Sequence, residues 1–294
     1  VVSIDGLRPD AISRYGLSTL SHLVEWGAYS LEARTIYPSK TLPSHTSMLT
    51  GVPPEVHGIA WNEDRTRSEG LVGVPTLFEV ARAQGLKTAA FFAKSKFRHL
   101  QRPRSLDHSE APLGYEFVMA PEVVEAATRY LRYEKPDLLF VHIAEPDYAG
   151  HLVGWMSWLY RLGARRADAA VRRIIEEAEV VYGQGGFTLI VTADHGGHGR
   201  SHGSDDPRDM TIPWIAWGQG VVPGELVVDS IRTMDTAATV LWLLGVDIPA
   251  DWAGRPVYRA FGVSRPGESP ARELPGLPAR SLTSHIDVEE GTPN

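Results

Sequence analysis

Short, largely apolar runs separated by helix-period segments limit what this chain can fold into. Val1–Ile4, Thr88–Ala93, Leu138–Ile143, Phe187–Val191 and Ile212–Trp217 are each four to six residues long. They lack the polar alternation of a strand with one wet face, so they predict strands covered on both sides. A further strand is expected at Glu32–Tyr37. Between the strands lie helical patterns. Leu17–Trp26 sets Leu20, Leu23 and Val24 on one face, and Pro43–Thr50 has proline in its first turn and Gly51 after its end. Thr76–Ala83 stops at Gly85, and Ala120–Tyr133 is broken by Lys135-Pro136-Asp137. Ser157–Tyr182 carries Arg165, Arg166, Arg172, Arg173, Glu176 and Glu177 on its wet side, and Met234–Leu244 closes at Gly245. Alternation of this kind predicts an α/β fold: a doubly wound, largely parallel sheet with helices on both faces, in a single compact domain over residues 1–261. From Gly262 to Asn294 there are five prolines, no aromatic residue and no periodicity, which predicts an irregular C-terminal tail.

Composition narrows the chemistry. With no cysteine among 294 residues, disulfides, thiolate metal sites and cysteine nucleophiles are excluded, and any metal must sit on His, Asp, Glu or hydroxyl oxygen. Lys and Arg number 29 against 36 Asp and Glu, a formal charge of −7 that disfavours nucleic acid as the main partner. No apolar run approaches the roughly 18 residues of a membrane-spanning helix. The chain begins at Val1, so removal of an N-terminal segment is expected; a signal peptide and a trimmed chain both fit, and the compartment, periplasmic or secreted or cytoplasmic, stays open.

The chemistry-bearing residues follow the strands. Asp5 ends the first run, Asp147 and His151 follow the Leu138 run, and Asp194 and His195 follow the Phe187 run. His202 lies in the glycine-rich loop beyond, and Thr41 sits between the Glu32–Tyr37 segment and a helix start. Sheets of this class bind ligands outside the carboxyl ends of their strands. Three Asp and three His suit a pair of divalent metals, with Zn, Mn, Fe and Co all compatible with imidazole and carboxylate. Asp147 and His151 can share one helical turn, whereas adjacent Asp194 and His195 diverge and can serve two ions. Two such ions can clamp the attacking and leaving oxygens of an in-line displacement, with Thr41 as the attacking group. The helix start behind Thr41 is expected to add backbone N–H donors for a phosphoryl group.

Several segments together resemble the type I phosphodiesterase/nucleotide pyrophosphatase family of the alkaline phosphatase superfamily. They are Val2–Asp10, Tyr37–His45, Leu49-Thr50-Gly51, His57-Gly58-Ile59, Glu145–His151 and Thr192–Gly196, and the resemblance extends to about Phe261. The resemblance implies an alkaline phosphatase-like fold and two zinc ions. Asp147, His151 and His202 would hold the first, on the leaving-group side, and Asp5, Thr41, Asp194 and His195 the second. It also implies that Asn62 donates to a non-bridging phosphoryl oxygen and that a covalent phospho-threonine forms at Thr41. His198 is a rival to His202 in the same loop. His202 is preferred because His202–Asp205 precedes the Ile212–Trp217 strand as in the family pattern. His45, His57 and His142 read as structural.

Two features bear on the substrate. The interval from His195 to His202 is short, which favours a small anionic phosphoester or phosphonate. Lys94 and Lys96, just past a strand, resemble the Lys-x-Lys with which phosphonoacetate hydrolases hold a substrate carboxylate. Hydrolysis of phosphodiester or pyrophosphate bonds is therefore the leading expectation, with C–P cleavage of phosphonoacetate as the alternative. A sulfatase would need a formylglycine precursor, which Thr41-Leu42-Pro43-Ser44-His45 lacks. Tyr148, Trp155 and Trp158 are candidates for lining the leaving-group side, with ordinary packing an equal reading. The oligomeric state is not legible.

Overall fold

The computed structural model describes residues 1–113 and 117–263; all of the expected tail beyond residue 263 lies outside them. Eight strands among the described residues form one sheet: β1 (Val2–Ile4), β2 (Ala28–Arg34), β3 (Thr88–Phe91), β4 (His108–Glu110), β5 (Leu138–Ile143), β6 (Thr188–Thr192), β7 (Thr211–Gly218) and β8 (Glu225–Leu226). Their order is β4-β3-β5-β1-β6-β7-β2-β8. Every pairing is parallel except those of β7, which runs against both β6 and β2. The sheet is therefore largely parallel, as its apolar runs predict. β7 departs from that direction because residues 193–210 turn back at the end of β6 rather than crossing the sheet.

β1 lies at the centre, with Ser3 level with His142 of β5 on one side and Thr192 of β6 on the other. Val2 and Ile4 are buried, as are Phe140, Val141, Ile143, Ile190 and Val191 beside them. On one face the Trp158–Tyr182 helix packs against the Ala120–Glu134, Glu145–Val153 and Ser18–Trp26 helices; a second group, Thr41–Thr50, Leu77–Ala83 and Asp235–Leu243, packs together. The helices of the two groups share no extensive contact.

The strand expected at Glu32–Tyr37 forms earlier, over Ala28–Arg34. Its buried positions are Ala28, Ser30 and Ala33, and its register with β7 shifts between Ser30 and Ala33. Small residues and an irregularity together erase the period-2 signal. β4 and β8 occupy the sheet edges as short polar segments, so no apolar pattern announces them.

One long-range cap ties the helices together. The Ser18–Trp26 helix has Leu17 at its N-cap, which offers no side-chain acceptor. Asp168 supplies one from the long helix, its carboxylate accepting from the backbone N–H of Thr19 at 3.1 Å and of Leu20 at 2.8 Å. Asp168→Ala leaves both buried donors unpaired and should cost about 2 kcal/mol of stability, read from a denaturant midpoint shift at unchanged slope.

Candidate active site

Three neighbouring strands end at one place. Asp5 closes β1, its N–H donating to the Ile143 carbonyl of β5 at 2.9 Å, and the Asp5 carbonyl in turn accepts from the Asp147 N–H at 3.0 Å. Asp147 thereby sits in the first turn of its helix beside the end of β1, and His151 follows one turn later with its Nε2 3.4 Å from Asp147 Oδ1. Asp194 follows β6 and accepts from the Gly6 N–H at 3.0 Å. Gly6 has φ of +69°, and a Cβ there would meet the Asp147 Cα at 3.0 Å. Its glycine is thus required both by the turn and by the approach of the helix. Gly197 is required for another reason: a Cβ would lie 2.1 Å from the buried Trp155 ring.

Two groups of side chains gather here, Asp5, Asp194 and His195 in one and Asp147, His195 and His202 in the other, with ligand atoms in each within 4.8 Å of one another. His195 Nε2 lies 3.2 Å from Asp194 Oδ2, 3.4 Å from Asp5 Oδ1 and 4.0 Å from Asp147 Oδ1. His202 Nε2 lies 3.7 Å from Asp147 Oδ1, and its ring stacks on that of His195 at 3.7 Å. Thr41 Oγ1 is 3.3 Å from His195 Nε2. His151 meets Asp147 but falls outside both groups, its side chain nearly half exposed. His198 turns away to Asp209, with Nδ1 2.7 Å from Oδ1.

The three imidazoles share one orientation. Nδ1 of His151, His195 and His202 faces the backbone carbonyl of Arg200, Gly196 and Ser39 at 3.1, 2.8 and 2.8 Å. A carbonyl only accepts, so each Nδ1 carries a proton, and whenever a ring is neutral its lone pair is on Nε2. Asp5 Oδ1, Asp147 Oδ1 and Asp194 Oδ2 are buried with no hydrogen-bond donor. Buried carboxylate oxygens without donors are costly, and here they face the imidazole Nε2 atoms. Oxygen and imidazole ligands of this kind suit divalent cations, zinc among them.

Crowding shifts the charges. Burial and the neighbouring Asp5 push Asp194 up to about 8. Burial opposes the charged form of His195, but Asp194 and Asp5 outweigh it and raise it to about 9. Burial and charged His195 pull His202 down to about 3. Asp5 and Asp147 are held well below the usual carboxylate range because Lys94 overcomes their desolvation. Lys94 is buried, with Nζ 2.5 Å from Asp147 Oδ2 and 2.7 Å from Asp5 Oδ2. Lys96, on the turn of 3₁₀ helix at Ser95–Leu100, is depressed by burial and by Lys94 and makes no ion pair among the described residues.

Thr41 is the first residue of its helix, and Lys40 is the N-cap. The expected set of helix-start donors is smaller than the sequence suggests. Leu42 N–H donates to Asn62 Oδ1 at 2.9 Å, and Pro43 has no N–H, so the N–H of Thr41 is the open donor of that turn among the described residues. Because Asn62 spends its oxygen on Leu42, its amide –NH₂ is the end left for a ligand. Trp155 is buried and donates to the Gly6 carbonyl at 3.0 Å, which is packing; Trp158 is exposed, and Tyr148 rests on Phe117.

Three histidines outside the predicted set organise the site. Ala93 N–H donates to His142 Nδ1 at 3.3 Å, so Nε2–H donates to Asp5 Oδ2 at 3.0 Å and orients that carboxylate. Its signal is a lone polar residue inside the apolar run Leu138–Ile143. His45, one turn beyond Thr41, donates from Nδ1 to the Thr41 carbonyl at 2.8 Å and accepts from Ser3 at 2.7 Å. His99 donates to Gly70 at 2.7 Å and accepts from the Arg65 N–H at 2.9 Å, tying the Asn62 loop to the helical turn that carries Lys96. No local pattern marks His99.

Fold and cluster together define an alkaline phosphatase-like α/β protein with a carboxylate–imidazole site at its strand ends. The model of the type I phosphodiesterase / nucleotide pyrophosphatase family matches residues 1–204, and the chain belongs to that family. It is 27% identical over 216 residues to human ectonucleotide pyrophosphatase/phosphodiesterase family member 1, covering 66% of this chain and 23% of that protein. It is 25% identical over 271 residues to GPI ethanolamine phosphate transferase 1 of Gibberella zeae, covering 80% and 27%. The chain thus spans about a quarter of the length of these relatives. Among solved structures, murine ectonucleotide pyrophosphatase/phosphodiesterase 5 in complex with AMP superposes with a TM-score of 0.72 at 16% identity, over 86% of this chain and 96% of that one. A 2-O GAG sulfatase superposes at 0.73 and 15% identity, over 91% and 74%. No described helix is long and apolar enough to cross a membrane.

His142→Ala removes the donor that orients Asp5. It should weaken binding of a divalent ion about 10–100-fold in a calorimetric titration with Zn or Mn; unchanged affinity would reduce His142 to packing.

Proposed function

We propose that this chain is a two-metal hydrolase of phosphodiester or pyrophosphate bonds in a small anionic substrate, acting through a covalent phospho-threonine at Thr41. The observation that carries the reading is convergence. A buried threonine hydroxyl at a helix start lies 3.3 Å from His195 Nε2, beside imidazoles whose Nε2 atoms face donor-free carboxylate oxygens. Asp147, His151 and His202 would hold one ion, and Asp5, Thr41, Asp194 and His195 the other. Zinc suits this set, and divalent ions bound here supply the charge that lowers the pKa of a hydroxyl and offsets charge on the transferring phosphoryl group.

The chain's own residues do the rest. Thr41 Oγ attacks phosphorus, the P–O bond to the leaving group breaks, and that oxygen departs with the bonding pair. Asn62 donates from its free –NH₂ to a non-bridging oxygen, and the Thr41 N–H is placed for the same purpose. His45 holds the Thr41 carbonyl and so fixes the first helical turn while Oγ becomes esterified. Water then cleaves the phospho-threonine and restores the hydroxyl. Lys96, without an ion pair among the described residues, offers positive charge to a second anionic group of the substrate. The family and its human relative, described as nucleotide pyrophosphatases and phosphodiesterases, support the same reading.

A second reading, C–P hydrolysis of phosphonoacetate, is supported by one feature: Lys96 makes no ion pair among the described residues and is open to a substrate carboxylate, whereas Lys94, its expected companion, is taken up by Asp5 and Asp147. One pair of assays separates the two: nitrophenol release from a bis-aryl phosphodiester against phosphate and acetate from phosphonoacetate. We expect turnover of the diester; good phosphonoacetate turnover with no diester turnover reverses the order. Thr41→Ala should keep its fold and metal and lose turnover by roughly 10³-fold or more, whereas undiminished turnover would rule out the covalent route.

A further inference from the structure

Lys94 stands out among the cations of the molecule. Its ammonium bridges two carboxylates from different strand ends, at 2.7 Å from Asp5 and 2.5 Å from Asp147, and all three side chains are at most 9% exposed. The atoms it touches are the Oδ2 oxygens. The Oδ1 oxygens of the same two residues are those without hydrogen-bond donors, and they face His195 and His202. Lys94 therefore grips each carboxylate by the oxygen turned away from His195 and His202, and shares that of Asp5 with His142. The backbone holds it there: Val118 N–H donates to the Ala93 carbonyl at 2.8 Å, and Lys94 forms a bridge with Phe117.

Asp5 and Asp147 belong to different groups of the cluster, so this one side chain spans both. Two ionised carboxylates buried side by side repel, and removing the ammonium that touches both leaves buried charge poorly compensated. We propose that Lys94 is a positioning residue, a fixed counter-ion that clamps Asp5 and Asp147 in their ligand orientation and makes the fold of the site independent of bound metal. Its ammonium is spent on the protein's own carboxylates, so the task of meeting substrate charge falls to Lys96. The part of this inference that concerns metal rests on the function proposed above; the clamp itself does not.

Thermal unfolding of three proteins tests it: the full chain, Lys94→Met and, as a control for loss of nearby charge, Lys96→Met. Each is prepared with Mn or Zn and then measured with and without chelator. In chelator the full chain and Lys96→Met should melt together, with Lys94→Met roughly 10 °C lower. Readded metal should recover most of the Lys94→Met deficit, giving it a larger metal-dependent shift than the other two. A Lys94→Met protein that loses its circular dichroism on chelation while the others keep theirs supports the clamp in stronger form. Equal melting of Lys94→Met and the full chain in chelator overturns it, and so does an equal loss in Lys96→Met. If metal shifts none of the three, the two-metal reading fails, while a deficit confined to Lys94→Met still establishes the clamp.

Discussion

Three carboxylates buried together at one rim of the sheet are the constraint around which this molecule is built. Asp5, Asp147 and Asp194 are each no more than 3% exposed and stand at the ends of three adjacent strands. Carboxylates packed this closely do not ionise independently, and the shift of Asp194 to about 8 reflects that conflict. The surroundings answer it with Lys94 on two of the carboxylates, His142 on Asp5 and the Gly6 N–H on Asp194. Each answer leaves one oxygen of the carboxylate open toward the imidazoles. The same restraint governs the histidines, whose Nδ1 protons are tied to backbone carbonyls so that Nε2 is left for a ligand.

The sheet makes this concentration of charge possible. A central parallel strand with parallel neighbours on both sides delivers three strand ends to one rim. Reversal of β7 adds the rest. Because residues 193–210 turn back at that rim, Asp194, His195 and His202 stay on one short loop instead of being carried across the sheet. Thr41 arrives from the other side, on a helix held by Ser44, whose hydroxyl donates to the Asp194 carbonyl at 2.6 Å, and by His45 on Ser3. Thr41 and the carboxylates are thus joined by hydrogen bonds that run through the core.

Much of this is legible in the chain. Apolar runs mark β1, β3, β5, β6 and β7 because strands covered on both faces need them. Asp5, Asp147 and Asp194 stand out because polar residues directly after such runs mark a ligand-binding rim. β2 is displaced from its expected place, since Ala28, Ser30 and Ala33 bury little apolar surface. The edge strands β4 and β8 give no pattern at all, because edges are held by backbone pairing rather than by buried side chains. His142 is visible as a polar intruder, but which carboxylate it serves depends on the neighbour across the sheet.

By itself the sequence determined the class of fold, the family and the residue types available for chemistry, because periodicity, turn residues and the absence of cysteine are local properties. Only the tertiary structure decided how those residues are used. Whether His198 or His202 joins Asp147 turns on a backbone carbonyl at Ser39 and a carboxylate at Asp209, both distant in the chain or across the loop. That Lys94 meets Asp5 and Asp147 while Lys96 makes no ion pair among the described residues is likewise a matter of position, since two residues of one short segment carry identical ammonium groups into different surroundings. Charge pairing acts through space between strand ends, and spacing along the chain carries no record of it.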